Sequence, residues 1–248
     1  MSLSKKAIEK HEELFPGLQS PMRLTDPEIV EIFGNFAFDE VIINEKIDVK
    51  TRIIAILASL IAQQTLTQYR VMVAGALHVG VTPVALKEMI YQAVPILGMP
   101  KVLDFIHATN EVFRSQGIEL PLEPQSKINS ETRLEKGSEI LESVFGKTLD
   151  DMYAEYPEDM QHIQKMKVTY CLGDFYTRNG LDVKMRELCT FVFLAALGDC
   201  EPQLVNHIKS NIMVDNDRET LIAVVTQIIP YIGFPRGLTV LRILNEII

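Results

Sequence analysis

Along most of this chain apolar residues return at every third or fourth position rather than every second, the period of helices with one buried face. The pattern predicts helices near 3–14, 26–38, 48–64, 66–79, 83–95 and 100–114, and again near 130–143, 148–154, 158–176, 182–197, 200–214, 217–230 and 235–247. Turn chemistry punctuates it. Thr82-Pro83 offers an N-cap followed by proline at the first helical position, Gly80 suits the left-handed residue that ends a helix, and Asp217 is placed to cap the corresponding later helix. The stretch from Ser115 to Ser130, with Gly117, Pro121 and Pro124, reads as a linker. The fold class is therefore all-α.

The two halves repeat. Gln92, Pro95, Gly98, Pro100 and Lys101 recur in order as Gln227, Pro230, Gly233, Pro235 and Arg236, 135 positions on (92 to 227). The same offset pairs Gln68 with Gln203, Leu86 with Leu221 and Leu103 with Leu238. Asp48-Val-Lys-Thr-Arg52 matches Asp182-Val-Lys-Met-Arg186 at an offset of 134 (48 to 182), so one residue was gained or lost between. Two copies of one helical unit follow, residues 1–120 and 121–248, packed as a pseudo-dimer.

Composition narrows the function classes. Apolar residues make up 47%, charged residues 23% and aromatics 7%, with no Trp, the profile of an aliphatic-packed soluble protein. A net charge of -9 and no run of Lys or Arg argue against nucleic acid and anionic membranes as partners. The longest apolar runs, Ile53 to Ala62 and Phe191 to Leu197, fall short of the ~20 residues a membrane helix needs. The charged start of the chain does not resemble a secretion signal. Three cysteines, Cys171, Cys189 and Cys200, have no metal or redox pair spacing, and an odd number suits a reducing cytoplasm. His107 and Glu111 stand at i, i+4 without a third ligand, so no metal is expected.

The densest reactive groups lie between Lys184 and Asn211. Cys200, Gln203, His207 and Asn211 are spaced 3, 4 and 4 and share one stripe of a helix. Glu187 lies on the preceding helix. If the turn at Gly198 to Glu201 folds the two into an antiparallel hairpin, Glu187 sits ~16 Å and His207 ~10 Å from that turn, within reach of side chains. A carboxylate that orients an imidazole makes it a proton carrier near neutral pH. Packing alone could also account for either residue. The repeat adds internal evidence, because His207 corresponds to Met72, Cys200 to Thr65 and Glu187 to Ile53: the first copy does without the titratable pair, so the fold does not require it. Lys101 and Arg236, cations at helix starts where the dipole disfavours them, hint at carboxylate binding or at a simple solvated charge. Tyr231, whose counterpart is Ile96, is a further candidate.

These residues have a recognisable setting. The runs Gly173 to Leu188, Gly198 to His207 and Tyr231 to Arg236, with Gly75 to Thr82 and Gly98 to Pro100 in the first half, resemble the carboxymuconolactone decarboxylase family, which includes alkylhydroperoxidase-like proteins. The resemblance implies an alkylhydroperoxidase-like helical bundle and a homo-oligomer, trimer or pseudo-hexamer, with pockets between units. It implies a cofactor-independent lyase acting on a small carboxylated lactone or keto acid, with His207 as general acid/base and Glu187 as its partner. Gln203, Arg186, Tyr231 and Arg236 are the substrate-binding candidates, the arginines for a carboxylate. The peroxidase branch uses a Cys-X-X-Cys pair before the histidine. Cys200 stands at the first cysteine's place but Gln203 at the second, so a dithiol cycle cannot close there. A peroxidase using Cys200 alone with an external thiol, and a non-catalytic assembly module, are the alternatives.

Overall fold

The structure is a computed structural model that describes residues 2–42 and 46–248; Met1 and positions 43–45 of the expected first unit lie outside it. Among the described residues there are thirteen α-helices and no strand. The first half holds α1 (Lys5–Leu14), α2 (Pro27–Phe38), α3 (Val49–Ala62), α4 (Leu66–His78), α5 (Pro83–Leu97) and α6 (Met99–Ser115). The second holds α7 (Arg133–Phe145), α8 (Leu149–Ala154), α9 (Gln161–Lys167), α10 (Val183–Leu197), α11 (Glu201–Met213), α12 (Arg218–Ile232) and α13 (Phe234–Ile247). Short 3-10 turns at Pro21–Leu24, Glu40–Ile42 and Glu158–Met160 lie among them.

The caps expected from sequence are made. The Thr82 side chain accepts from the Ala85 N–H at 3.1 Å, the Asp217 carboxylate from Thr220 N–H at 2.8 Å, and Gly80 takes φ +81°. Helices α5 and α12 run two residues past the expected ends, through Pro95 and Pro230. They can do so because Gly98 and Gly233, at φ +87° and +81°, each return an N–H to the fourth residue back and close the helix there.

The packing maps onto itself when the copies are exchanged. α3 packs on α4 as α10 does on α11, α5 on α6 as α12 on α13, while α5 crosses to α10 and α12 crosses to α3. α3 and α10 lie against each other in the middle, and one apolar core runs through both copies, from Ile53, Leu57 and Ile61 to Phe191, Phe193 and Ala196. The chain is thus two tandem helical units packed as a pseudo-dimer, each lending α5 or α12 to the other.

The expected helix at 158–176 is divided. It starts as the 3-10 turn, becomes α9, and widens into a π-helical stretch, Val168–Tyr176. Here α7 lies almost backbone on backbone. A Cβ on Gly137 would fall 2.3 Å from the Val168 carbonyl oxygen, and one on Gly173 would fall 2.2 Å from that of Arg133. These two glycines let a second, small core form from Leu141, Met152, Val168, Leu172 and Tyr176. Because both obstructing atoms are backbone, no rotamer change relieves the clash. Gly173→Ala is expected to destabilise the protein by about 2 kcal/mol and to lower its melting temperature by several degrees. An unchanged melt would show that α7 does not rest on this stretch.

Candidate active site

Glu187 stands one turn into α10, a helix capped by the Asp182 carboxylate on Met185 N–H at 2.8 Å. The reversal into α11 is made by Gly198 and Asp199, both at positive φ, +73° and +55°. The resulting antiparallel hairpin brings His207 Nδ1 to 2.8 Å from Glu187 Oε2. Glu187 is fully buried, while the His207 side chain keeps 16% of its surface open. Among the described residues only the Nδ1 edge is hydrogen-bonded, so Nε2 is the ring nitrogen left for a ligand. Phe145 of α7 packs edge-on to the imidazole, centroids 5.6 Å apart, and walls one side of it.

A buried carboxylate needs more than one partner. Tyr176, the last residue of the π-helical stretch, donates its hydroxyl to Glu187 Oε1 at 2.6 Å. Burial first, and then the Glu187 carboxylate beside it, push the Tyr176 phenol well above its ordinary pKa, so it stays a donor across the working pH range. Asn211 ties the hairpin together, donating to the Glu187 carbonyl at 3.1 Å and the His207 carbonyl at 2.7 Å. Asn216 in turn donates to Asn211 Oδ1 at 2.8 Å.

Behind this pair the contacts continue into the first copy. The Tyr176 hydroxyl lies 3.1 Å from Thr190 Oγ1, which accepts from Gln92 Nε2 at 3.2 Å. Gln92 Oε1 accepts from Arg186, and Arg186 pairs with Glu88 at 3.0 Å. Glu88 is also gripped by Arg178 through two nitrogens at 2.9 Å. Arg186 is completely buried, and it donates to the carbonyls of Arg178 and Asn179 as well. A substrate carboxylate reaching Arg186 would have to displace Glu88.

The remaining candidates sit apart from the pair. Gln203 is exposed although it shares a helix stripe with His207 and the buried Asn211, because burial deepens along α11. Tyr231 packs edge-on to Phe33 of α2, its buried hydroxyl without a hydrogen-bond partner among the described residues, and burial raises its pKa. Arg236 donates to the Ala196 carbonyl at 2.6 Å and to the Gln63 side chain. That explains a cation at the start of α13: its charge is aimed at the C-terminal carbonyls of α10, where the helix dipole favours it. Cys200 precedes α11, and its thiol points to the Leu194 carbonyl at 3.5 Å. In the first copy the counterparts of Glu187 and His207, Ile53 and Met72, are core residues at 0% and 1% exposure.

Sequence reasoning passed over Tyr176, Thr190, Gln92 and Glu88. The repeat carried a signal for two of them, since at the offset of 134 Tyr176 falls opposite Ile42 and Thr190 opposite Ile56, polar against apolar just as Glu187 stands against Ile53.

A model of the carboxymuconolactone decarboxylase family matches residues 27–111 and again residues 161–246. The chain belongs to that family. Membership supports a role at the family level, decarboxylase or alkylhydroperoxidase-like. The second match takes in Tyr176, Glu187, Cys200 and His207, and the first takes in Glu88 and Gln92. No curated protein matches the chain. Among the described residues no helix is long and apolar enough to cross a membrane, and no group of three or more His, Cys, Asp and Glu could hold a metal ion.

The state of the Cys200 thiol bears on the alkylhydroperoxidase-like alternative. Burial, and secondarily the charge of Asp199, push the Cys200 thiol above its ordinary pKa. A peroxidatic cysteine needs the opposite shift. Cys200 is therefore expected to alkylate with iodoacetamide near pH 7 more slowly than an unstructured peptide thiol, gaining about tenfold per pH unit as the thiolate forms. Peptide-resolved mass spectrometry checks this, and fast labelling at neutral pH would contradict it.

Proposed function

We propose that this protein is a cofactor-independent decarboxylase acting on a small carboxylated lactone or keto acid, with His207 as general acid/base and Glu187 as the group that orients it. The observation that carries the reading is the 2.8 Å contact of a partly open imidazole with a wholly buried carboxylate. Glu187 accepts the Nδ1 proton, which leaves Nε2 facing the open side. When the bond between the substrate carbon and its carboxylate breaks, carbon dioxide leaves and the electron pair moves onto the conjugated carbonyl. The imidazolium Nε2–H then delivers a proton to that carbon and is reprotonated from water. The positive ring is stabilised throughout by Glu187, whose charge is held in place by Tyr176.

Gln203, exposed on the same helix four positions before His207, is assigned to the substrate side of this site. Arg186 and Arg236, read in the sequence as carboxylate binders, are assigned anchoring roles on the partners described above; Tyr231, with no hydrogen-bond partner for its hydroxyl among the described residues, is assigned only its packing on Phe33. In this reading units 1–120 and 121–248 share the work unequally, the second carrying the acid/base pair and the first supporting it through Glu88 and Gln92. We also propose a homo-oligomer, a trimer or pseudo-hexamer; large apolar side chains left exposed at Ile29, Ile32, Phe234 and Leu238 support it.

His207→Ala is expected to lower carbon dioxide release from a carboxylated unsaturated lactone by about a thousandfold or more, with unchanged circular dichroism and melting temperature. His207→Ala that still turns over would remove the imidazole from the reaction. Peroxide consumption by the wild type that depends on Cys200 would replace the proposal with the peroxidase reading.

A further inference from the structure

A cleft of about 450 Å³ opens between α5, α6 and the linker, and neither His207 nor Glu187 lines it. The linker residues Leu120, Pro121 and Leu122 form one wall, held in place where Asn179 N–H donates to the Gln125 carbonyl at 3.0 Å. Tyr91 and Ile106 supply apolar surface opposite. The volume is in the range of small-molecule sites, and a mostly apolar wall with a few placed polar groups is what such sites show.

The charges in the cleft do not cancel. Its acids are Glu88 and Glu123; its cations are Lys87, Arg114 and Arg178. Glu88 is already neutralised twice, by Arg178 and by Arg186 from behind. Glu123 stands exposed on the linker. Lys87 is only 7% exposed, yet its ammonium donates to a neutral amide oxygen, Asn110 Oδ1, and lies 5.9 Å from the centroids of Tyr91 and Phe113. No carboxylate pairs with it among the described residues. Burial, and then the charge of nearby Arg114, pull the Lys87 pKa below its ordinary range, the shift expected of a buried cation whose counter-ion is missing. Arg114 likewise has no ion pair among the described residues. On a chain of net charge -9, two unneutralised cations converging on an apolar-walled cleft form a local reversal of the field.

We propose that this cleft binds a small organic carboxylate, its anionic group held between Lys87 and Arg114 and its apolar body against Tyr91, Ile106 and the linker. The site is separate from the acid/base pair and does not depend on the reaction assigned to it. It also gives the linker a purpose beyond joining two copies, since Leu120 to Leu122 wall the cleft.

Titrating the full-length protein with benzoate, benzamide and inorganic phosphate, followed by calorimetry and the Tyr91 ring resonances, tests this. Benzoate is expected to bind with a Kd of about a millimolar or tighter and to shift Tyr91. Benzamide and phosphate should each bind at least tenfold more weakly, the first lacking the charge and the second the apolar body. Arg114→Gln, an exposed position, should weaken benzoate severalfold, and Lys87→Met about tenfold or more, while His207→Ala leaves it unchanged. If Lys87→Met does not fold, Arg114→Gln alone decides. Absence of benzoate binding, equal binding of benzamide or phosphate, no effect of Arg114→Gln, or loss of binding in His207→Ala would each overturn the proposal.

Discussion

A carboxylate with no access to water is tolerated only where hydrogen bonds replace its hydration, and Glu187 is such a carboxylate. Its two oxygens are divided between the Tyr176 hydroxyl and the His207 ring. Much of the second copy is arranged around that division. The glycine-mediated approach of α7 to the π-helical stretch sets Tyr176; the turn at Gly198 and Asp199 sets the register of His207; Asn211 fixes the two backbones relative to each other. π-helical segments are often found at functional sites, and here the widened turn ends on the residue that donates to the buried charge.

The pseudo-dimer explains why the site is not confined to one copy. Because α5 crosses from the first copy onto α10, Gln92 and Glu88 stand directly behind the pair and anchor Arg186. The mirrored crossing of α12 onto α3 carries Tyr231 to Phe33. At the positions of the acid and the imidazole the first copy buries Ile53 and Met72 instead. Exchange of polar for apolar groups inside one fold shows that the packing tolerates either, and that the cost of burying Glu187 is borne for a reason other than folding.

The helical period, the caps at Thr82 and Asp217 and the repeat made nearly every helix legible in the sequence, along with the meeting of Glu187 and His207. What stayed hidden depended on contacts between elements distant in the chain. Arg186 and Arg236 are alike in sequence terms, free cations near a candidate site, yet one is consumed by Glu88, 98 residues away, and the other by the end of α10. Gln203 shares its stripe with Asn211 but not its burial, because the depth of a helix end depends on what packs over it. The π-helical end of 158–176 lies against α7 through Gly137 and Gly173, a close approach that no single-chain periodicity reveals.

The whole arrangement depends on the imidazole of His207 being held by Glu187 through Nδ1. Nitrogen-resolved NMR of the histidine rings reads that directly: neutral His207 should show the proton on Nδ1, slow to exchange, and lose that fixed state in Glu187→Gln. A His207 ring that instead carries its proton on Nε2, or that exchanges tautomers as freely as an exposed histidine such as His107, would contradict the arrangement at its centre.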